Sequence, residues 1–393
     1  MDREENYDGV EEIYWIERIA IMAEWIECKI SDIGTVVGGA TPSTKKPENY
    51  ENGTIAWITP KDLSTFSGRY IQHGERNITE TGLKSCSTQL LPKNTVLFSS
   101  RAPIGYVAIA ANDVCTNQGF KSVIPNENTN PLFLYYLLKY NKDKIEGMGS
   151  GTTFKEVSGN TMKNIVVSVP TDKKVQERIS SMLGSIDDKI EENERINNNL
   201  EQQAMAIFDA MFPSISNGEN TIGDIITPKR GKGLLSKNTI FGNVPVVAGG
   251  LEPSTYHNVA NTVAPVLAIS ASGANSGYVS LWNIPIWSSD SSFIDSSMTD
   301  DVYFWYVLLK KRQKEIYDAQ TGSAQPHIYP QHIAAMPINN LNFDDVRNYT
   351  ATVTPIFEMI GNNKAENVRL ATTRDALLPK LMSGELDVSN IDI

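Results

Sequence analysis

Two long stretches of the chain carry apolar residues at alternating steps of three and four, the pattern of a coiled-coil seam. The first stretch runs from Asp172 to Phe212. Its apolar positions are Val175, Ile179, Met182, Ile186, Ile190, Leu200, Ala204, Ile207 and Met211, and those of the second stretch are Val353, Ile356, Ile360, Leu370, Leu377 and Leu381. The pattern predicts long helices over residues 171–213 and 343–386, and the first would span about 60 Å.

Asparagine occupies seam positions in both stretches. These positions are Asn193, Asn197, Asn363 and Asn367. Neither helix can bury its apolar stripe alone, so we expect the two to pair as an antiparallel coiled coil; the alternative is that each lies across its own module. In a coiled coil the asparagines would fix the register at a cost in stability, and otherwise they would face solvent. Pro355 and Pro379 are expected to end or kink the second helix.

Outside these stretches the pattern changes to short strand-like runs between Gly, Pro, Asn and Ser turns. Such runs are Thr95–Phe98, Tyr106–Ile109 and Asn164–Val169, whereas Pro131–Tyr140 and Asp301–Lys311 are typical of helices with an apolar face. The predicted fold class is therefore α+β, with two tandem globular modules at residues 27–170 and 219–338. The two long helices separate the modules, and the whole forms a pseudo-two-fold internal repeat.

The two ends lie outside this repeat. Trp15, Ile19, Met22 and Ile26 stand at helical spacing and predict a short amphipathic helix within residues 1–26. Residues 387–393 are expected to form a tail.

The duplication itself is visible as a recurring offset. Leu138 and Leu309 are 171 residues apart and occupy similar segments, Tyr135–Lys139 and Trp305–Lys310. Further matches in the same order are Gly151 with Gly322 at 171, Gly105 with Gly277 at 172, and Ile30 with Ile222 at 192. Several short matches in one order indicate an internal duplication, with insertions or deletions early in the modules.

The net charge is −11, which at first disfavours DNA as a partner, because phosphate binding uses Lys and Arg. The charge is uneven, however, and residues 27–170 carry a net +3.

Cys28, Cys86 and Cys115 lack CxxC spacing and are expected to be buried, reduced thiols. No apolar run reaches the roughly 18 residues of a membrane span, and the N-terminus is acidic, so we expect a cytoplasmic protein without a membrane partner.

Catalytic patterns are missing from the sequence. The four histidines include no HxH or HExxH pair, so no metal site is predicted. The glycines at 38–39 and 231–233 belong to neither GxxxxGK[ST] nor GxGxxG, and no GxSxG elbow occurs. We therefore expect no catalysis by this chain alone and no cofactor bound to it.

What both copies do share is loops rich in Gly, Ser, Thr, Asn, Gln, Lys and Arg between strands. Such side chains can bond phosphates and base edges, although the same loops can also be ordinary turns. The candidate DNA-binding residues are Lys45, Lys46, Thr59, Lys61, Ser100, Arg101, Asn117 and Gln118 in the first module, and Lys229, Arg230, Lys232, Ser272, Asn275 and Ser289 in the second.

Several motifs resemble one known family, the specificity (S) subunits of Type I restriction-modification systems. They are WITPKDL at 57–63, SSRAPIG at 99–105, TNQGF at 116–120, GSGTTF at 149–154, IDDKI at 186–190 and RDALLPKLMSGEL at 374–386. The second copy departs from them, since SRAPIG is replaced by ASGANSG at 271–277 and TNQG by SSDS at 288–291. This difference fits modules that read different sequences.

The resemblance implies two target recognition domains, each reading half of a split site in double-stranded DNA. The helices would set the unread spacer and dock methyltransferase (M) subunits, two of them expected, and restriction (R) subunits would join indirectly. S-adenosylmethionine and ATP would be bound by those partners. Leu183, Ile196 and Phe208 are the apolar residues expected on the outer helix faces that dock M. A coiled-coil adaptor that binds only protein is the alternative function, and a self-sufficient nuclease or methyltransferase is a third.

Overall fold

The computed structural model describes residues 24–151, 155–322 and 325–388. The chain forms two compact units, one of Met1–Glu191 with Arg369–Ile393 and the other of Glu192–Val368. Each unit holds one module together with a part of each long helix, Lys173–Met211 and Phe343–Met382. The predicted α+β class is confirmed.

The first module contains three sheets. In the largest, the strand order is Gly34–Gly38, Lys121–Pro125, Val96–Ser100, Ile104–Ala110 and Tyr70–Ile71. A three-stranded sheet has the order Arg76–Ile78, Ile55–Ile58 and Cys115–Thr116, and a third sheet pairs Trp25–Lys29 with Val166–Pro170. Its helices are Ile30–Ile33, Pro60–Ser64, Glu80–Lys84, Pro131–Tyr140, Lys142–Gly147 and Gly159–Asn164, with a 3-10 turn at Pro47–Asn49.

In its described residues the second module repeats this order, except that its largest sheet has four strands and no counterpart of Tyr70–Ile71. Its largest sheet runs Lys229–Arg230, Ser291–Asp295, Val266–Ser270 and Val279–Trp282. The smaller sheets are Thr255–His257, Val244–Val247 and Trp287–Ser288, and Asn220–Thr221 with Pro337–Ile338. Helices lie at Val302–Lys311, Gln313–Asp318 and Pro330–Ala334, and 3-10 turns at Ile215–Asn217, Ile222–Asp224 and Ser236–Asn238. The internal duplication inferred from the offsets is thus also present in the sheet topology.

One apolar helix lies at the centre of each core. In Pro131–Tyr140 six consecutive residues from Phe133 to Leu138 are buried, and in Val302–Lys311 the buried run extends from Val302 to Leu309. Both helices were predicted from their apolar faces, and both are buried nearly all round. Such a helix has no solvent side to keep polar, which is why its sequence shows little amphipathic contrast.

The long helices pair antiparallel in each unit. In the second unit, Asn193 Nδ2 donates to Asn367 Oδ1 and Asn363 Nδ2 donates to Asn197 Oδ1, both at 2.8 Å. In the first unit, Arg374 Nη1 donates to Asp187 Oδ1 at 2.6 Å. Asn193 and Asn197 are buried and do not face solvent.

The helices also pack on their own modules, so both arrangements considered from the sequence occur together. Val175, Ile179 and Leu183 belong to the first module's core, and Ala204 and Phe208 belong to the second's. Leu183 is 0% exposed and Phe208 2% exposed. Their assignment to an outer, partner-docking face was therefore wrong. A helix that packs both on its partner helix and on a module buries a wider apolar stripe than the coiled-coil seam alone. Residues beside the seam can therefore be buried against the module.

Three further expectations are corrected. Ile26 lies in the strand Trp25–Lys29, opposite Val169, and not in an amphipathic helix; Trp15, Ile19 and Met22 lie outside the described residues. The second long helix runs through Pro355 and Pro379 without ending at either. Val388, inside the expected tail, is 1% exposed and packs in the first unit's core, and residues 389–393 lie outside the described ranges.

The cysteines follow the expectation only in part. All are free thiols, but only Cys115 is buried, whereas Cys28 and Cys86 are half-buried.

Candidate nucleic-acid interface

In the first module, main-chain hydrogen bonds gather four loops at one place. Ala40 N donates to Thr116 O at 3.0 Å, and Asn117 N donates to Ile58 O at 3.0 Å. Ser100 N donates to Gly119 O at 2.7 Å. The predicted residues Thr59, Ser100, Arg101, Asn117 and Gln118 are therefore neighbours, although they lie far apart in the sequence.

A close backbone approach holds two of these loops together. A Cβ on Gly39 would lie 2.2 Å from Thr116 O and 2.4 Å from Asn117 O, so only glycine fits there. On the exposed side of the same contact, Thr41 donates its hydroxyl to Gln118 Oε1. Gly39 thus serves the packing of these two loops.

Some of the predicted side chains are committed to shaping the loops. Ser100 is fully buried, and its hydroxyl donates to Gly119 O at 3.1 Å. Asn117 Oδ1 accepts from Gly119 N at 2.8 Å, closing a turn. Thr59 donates to Asp62 Oδ2 at 2.6 Å at the start of the helix Pro60–Ser64. Such bonds fix the backbone and leave outward side chains to meet a ligand.

An ion-pair network lies beside them. Glu156 Oε2 is 3.3 Å from Arg101 Nη1, and Glu156 Oε1 is 3.3 Å from Lys121 Nζ. Lys121 Nζ also lies 3.4 Å from Ser100 Oγ. Sequence analysis missed Lys121 and Glu156. Lys121 directly follows the TNQGF motif, and this position could have identified it from the sequence. Glu156 had no such signal, because the β-bridge between Ser150 and Glu156 brings it to this cluster.

The remaining predicted cations of the first module are at the surface. Lys45 and Lys46 are exposed, on a loop anchored by Tyr50 Oη, which donates to Pro42 O at 2.6 Å. Lys61 is exposed and pairs with Glu75 at 2.7 Å. The hydrogen bond that Lys61 donates to Glu75 raises the pKa of Lys61, which stays charged near neutral pH.

The second module gathers equivalent loops by equivalent bonds. Lys232 N donates to Ser288 O as Ala40 N does to Thr116 O, and Ser289 N donates to Val247 O as Asn117 N does to Ile58 O. Ala271 N donates to Asp290 O as Ser100 N does to Gly119 O. The two modules therefore share a backbone frame but present different side chains from it.

The predicted residues of the second module form a second cluster. Arg230 pairs with Asp290 at 2.6 Å, and Ser272 donates its hydroxyl to the same carboxylate. Lys229 and Lys232 are exposed. Ser289 is 8% exposed, and its hydroxyl accepts from Leu234 N at 3.1 Å, which commits it to loop packing.

Asn275 stands somewhat apart from this cluster, on the turn that follows Ser272. Its carbonyl accepts from Tyr278 N at 3.0 Å, and the side chain is half-buried. The structure therefore joins Arg230, Lys232 and Ser272 closely and Asn275 only through its loop.

Among residues 24–151, 155–322 and 325–388, no group of three or more His, Cys, Asp and Glu side chains is placed to hold a metal ion. Within the same ranges, no helix combines the length and the apolar character that crossing a bilayer requires.

Comparison with known proteins places these modules in a family context. The family model for the Type I restriction modification DNA specificity domain matches residues 22–202. The MjaIX specificity subunit, from a Type I restriction enzyme of Methanocaldococcus jannaschii, is 34% identical over an alignment of 414 positions, gaps included, that covers 94% of this chain and 95% of the relative. The EcoR124I/EcoR124II specificity subunit of Escherichia coli is 30% identical over 167 residues, or 40% of each chain.

The fold has a solved counterpart. The crystal structure of a Type I restriction-modification S subunit from M. genitalium matches with a TM-score of 0.57 at 20% identity, covering 93% of this chain and 97% of that one. At 20% identity, this match shows that the two proteins share a fold.

Proposed function

Because this chain belongs to the family of Type I restriction specificity subunits, we propose that it is the non-catalytic DNA sequence-recognition subunit of a Type I restriction-modification complex. Each module reads one half of a bipartite site in double-stranded DNA. The long helices set the unread spacer between the halves and dock two methyltransferase subunits. Those subunits bind S-adenosylmethionine, and restriction subunits, which use ATP, join through them.

The observation that supports this proposal best is the shared frame of the two modules. The same main-chain bonds position Asn117 in one module and Ser289 in the other, with different residues around them. Side-chain donors and acceptors discriminate between base edges. Two modules with the same backbone and different side chains can therefore recognise different DNA sequences. An adaptor that binds only protein has no such need for two variable loop sets.

Outward cations beside the frames are consistent with phosphate contacts. Lys45 and Lys46 in the first module, and Lys229 and Lys232 in the second, are exposed. Phosphate contacts position a protein on the duplex, and base contacts then provide specificity. The proposal therefore assigns the lysines to the backbone, and it assigns Gln118, Arg101 and Arg230 to base edges.

The test is enrichment of a random DNA library by the full chain together with its partner methyltransferase. We expect one split motif, consisting of two short sequences at a fixed separation. Exchanging the first module for that of a relative should change one half of the motif only. Recovery of no split motif would overturn the proposal and favour the protein-only adaptor.

A further inference from the structure

The second module exposes apolar side chains on its most basic segment. Phe241 is 93% exposed and Ile240 is 60% exposed. Residues 228–250 contain four cations, at Lys229, Arg230, Lys232 and Lys237, and no carboxylate, in a chain whose net charge is −11. Cations beside a bare aromatic ring match a ligand with both phosphates and flat bases.

A chain of contacts fixes this segment, residues 233–243, to the candidate interface. Ile240 N donates to His257 Nδ1 at 3.1 Å. The His257 ring stands edge-on to Trp287 with centroids 5.1 Å apart, and Trp287 Nε1 donates to Lys232 O at 2.8 Å. The exposed residues Ile240 and Phe241 are thus connected, through the rings of His257 and Trp287, to Lys232, next to the strand Lys229–Arg230.

Close packing next to Phe241 adds to this support. A Cβ on Gly242 would lie 2.4 Å from Asn258 Cα and from His257 O, so the chain turns back against the neighbouring strand immediately after the phenylalanine. The backbone at the tip is held while the ring projects into solvent. A loop whose backbone is already held loses little backbone freedom on binding.

The equivalent loop of the first module has a different tip. The matching bonds of Ala40 and Lys232 show that residues 41–54 correspond to the segment of Phe241. That loop presents Lys45 and Lys46, and its aromatic residue, Tyr50, is half-buried with Arg76 stacked 4.1 Å from its ring centre. The projecting apolar tip therefore distinguishes the second module from the first.

We propose that Phe241, supported by Ile240, contacts the bases of the second half-site directly, as an apolar wedge that stacks on or enters a base step. Lys237 lies in the same segment and Lys232 immediately precedes it, and both contact the flanking phosphates. The inference rests on the proposed function and adds to it a specificity-determining residue. Apolar wedges of this kind unstack the step that they enter and favour sequences that deform easily.

The test uses the full chain with its methyltransferase partner and the split motif recovered by enrichment. Phe241→Ala should weaken binding to that motif about 5- to 100-fold, the range for losing one stacked base, and Phe241→Trp should keep most of the affinity. Ile284→Ala, at a residue 48% exposed in the same module, serves as the control and should bind as the wild type does.

A fluorescent base identifies the contact. With 2-aminopurine in the second half-site, binding by the wild type should raise its fluorescence and Phe241→Ala should abolish the rise. The same probe in the first half-site should respond equally to both proteins. Equal affinity and equal fluorescence for wild type and Phe241→Ala would overturn the inference, as would a loss confined to methyltransferase binding without DNA. If the wild type enriches no split motif, the proposed function itself fails.

Discussion

Glu156 is an acidic side chain placed among the residues proposed to meet DNA. It lies 3.3 Å from both Arg101 and Lys121, so it partly neutralises two cations of the proposed interface. In the second module the residue at the same bridge position is His327, opposite Thr321. The two modules thus differ in charge at one equivalent point of a common frame.

Replacing Glu156 tests this arrangement. Glu156→Gln should release Arg101 and Lys121, tighten binding to non-specific DNA and reduce discrimination in the first half-site. Each added phosphate contact steepens the dependence of log K on log salt by about 0.9. Titrations at several salt concentrations measure the slope. Glu127→Gln, an exposed carboxylate beyond the other end of the strand Lys121–Pro125, is the control and should leave it unchanged. A shallower slope in Glu156→Gln would contradict the prediction.

Cys115 gives a pH-dependent prediction. Burial raises the pKa of its thiol from the ordinary 9.0 to about 11, because the apolar surroundings disfavour the thiolate. Only the thiolate reacts, so at pH 8 iodoacetamide should leave Cys115 unmodified in the folded chain and modify it in denaturant. Peptide mass spectrometry identifies the site. Rapid modification in the folded protein would refute the burial argument.

The same shift affects stability. The unfolded chain loses this proton above about pH 9 and the folded chain keeps it to about pH 11. The contribution is therefore fully present below pH 9 and declines as the pH rises towards 11.

Between elements, Arg69 connects a loop of the first module to the first long helix. Its side chain is 5% exposed, and its Nε donates to Glu191 Oε1 at 2.9 Å. It also pairs with Asp188 and donates to Gly184 O at 3.3 Å. Gly184 leaves room for this approach, since a Cβ there would lie 3.3 Å from Arg69 Nη1.

Removing this link should destabilise the first unit. Arg69→Ala removes a buried guanidinium and its hydrogen bonds to Glu191 and Gly184 O, and loss of a hydrogen bond to a charged group costs about 2 kcal/mol. Denaturant unfolding measures the change. Lys61→Ala removes an ion pair that lies at the surface and should have no measurable effect. Equal stabilities for the two variants would show that the Arg69 link is not structural.

The elements were largely predictable, and the site was only partly so. Helical and strand periodicity located Lys173–Met211 and Val96–Ser100 because those patterns are local. Leu183 and Phe208 were misplaced because burial against a module depends on tertiary packing that no periodicity records. Lys121 and Glu156 meet across 35 residues, and only the assembled sheet brings them together.

For the whole molecule, the helices are proposed to measure the distance between half-sites. Inserting one heptad after Glu191 and another after Val368, where the two units divide, adds about 10 Å, or roughly three base pairs. We expect the spacer of the enriched motif to lengthen by that amount while both half-sites stay the same. An unchanged spacer would show that the length of the helices does not set the distance between the half-sites. A heptad in one helix alone should disrupt pairing and lower stability.

Main-chain bonds, such as those from Ser100 N and Ala271 N, help to hold the loops of both modules. Main-chain donors and acceptors are the same for almost every amino acid, so the loops retain their shape when outward residues mutate. Natural mutation can thus change the outward side chains of the loops without unfolding the chain. The same property makes Gln118 and Lys232, whose side chains are exposed, suitable positions to randomise in a directed-evolution library.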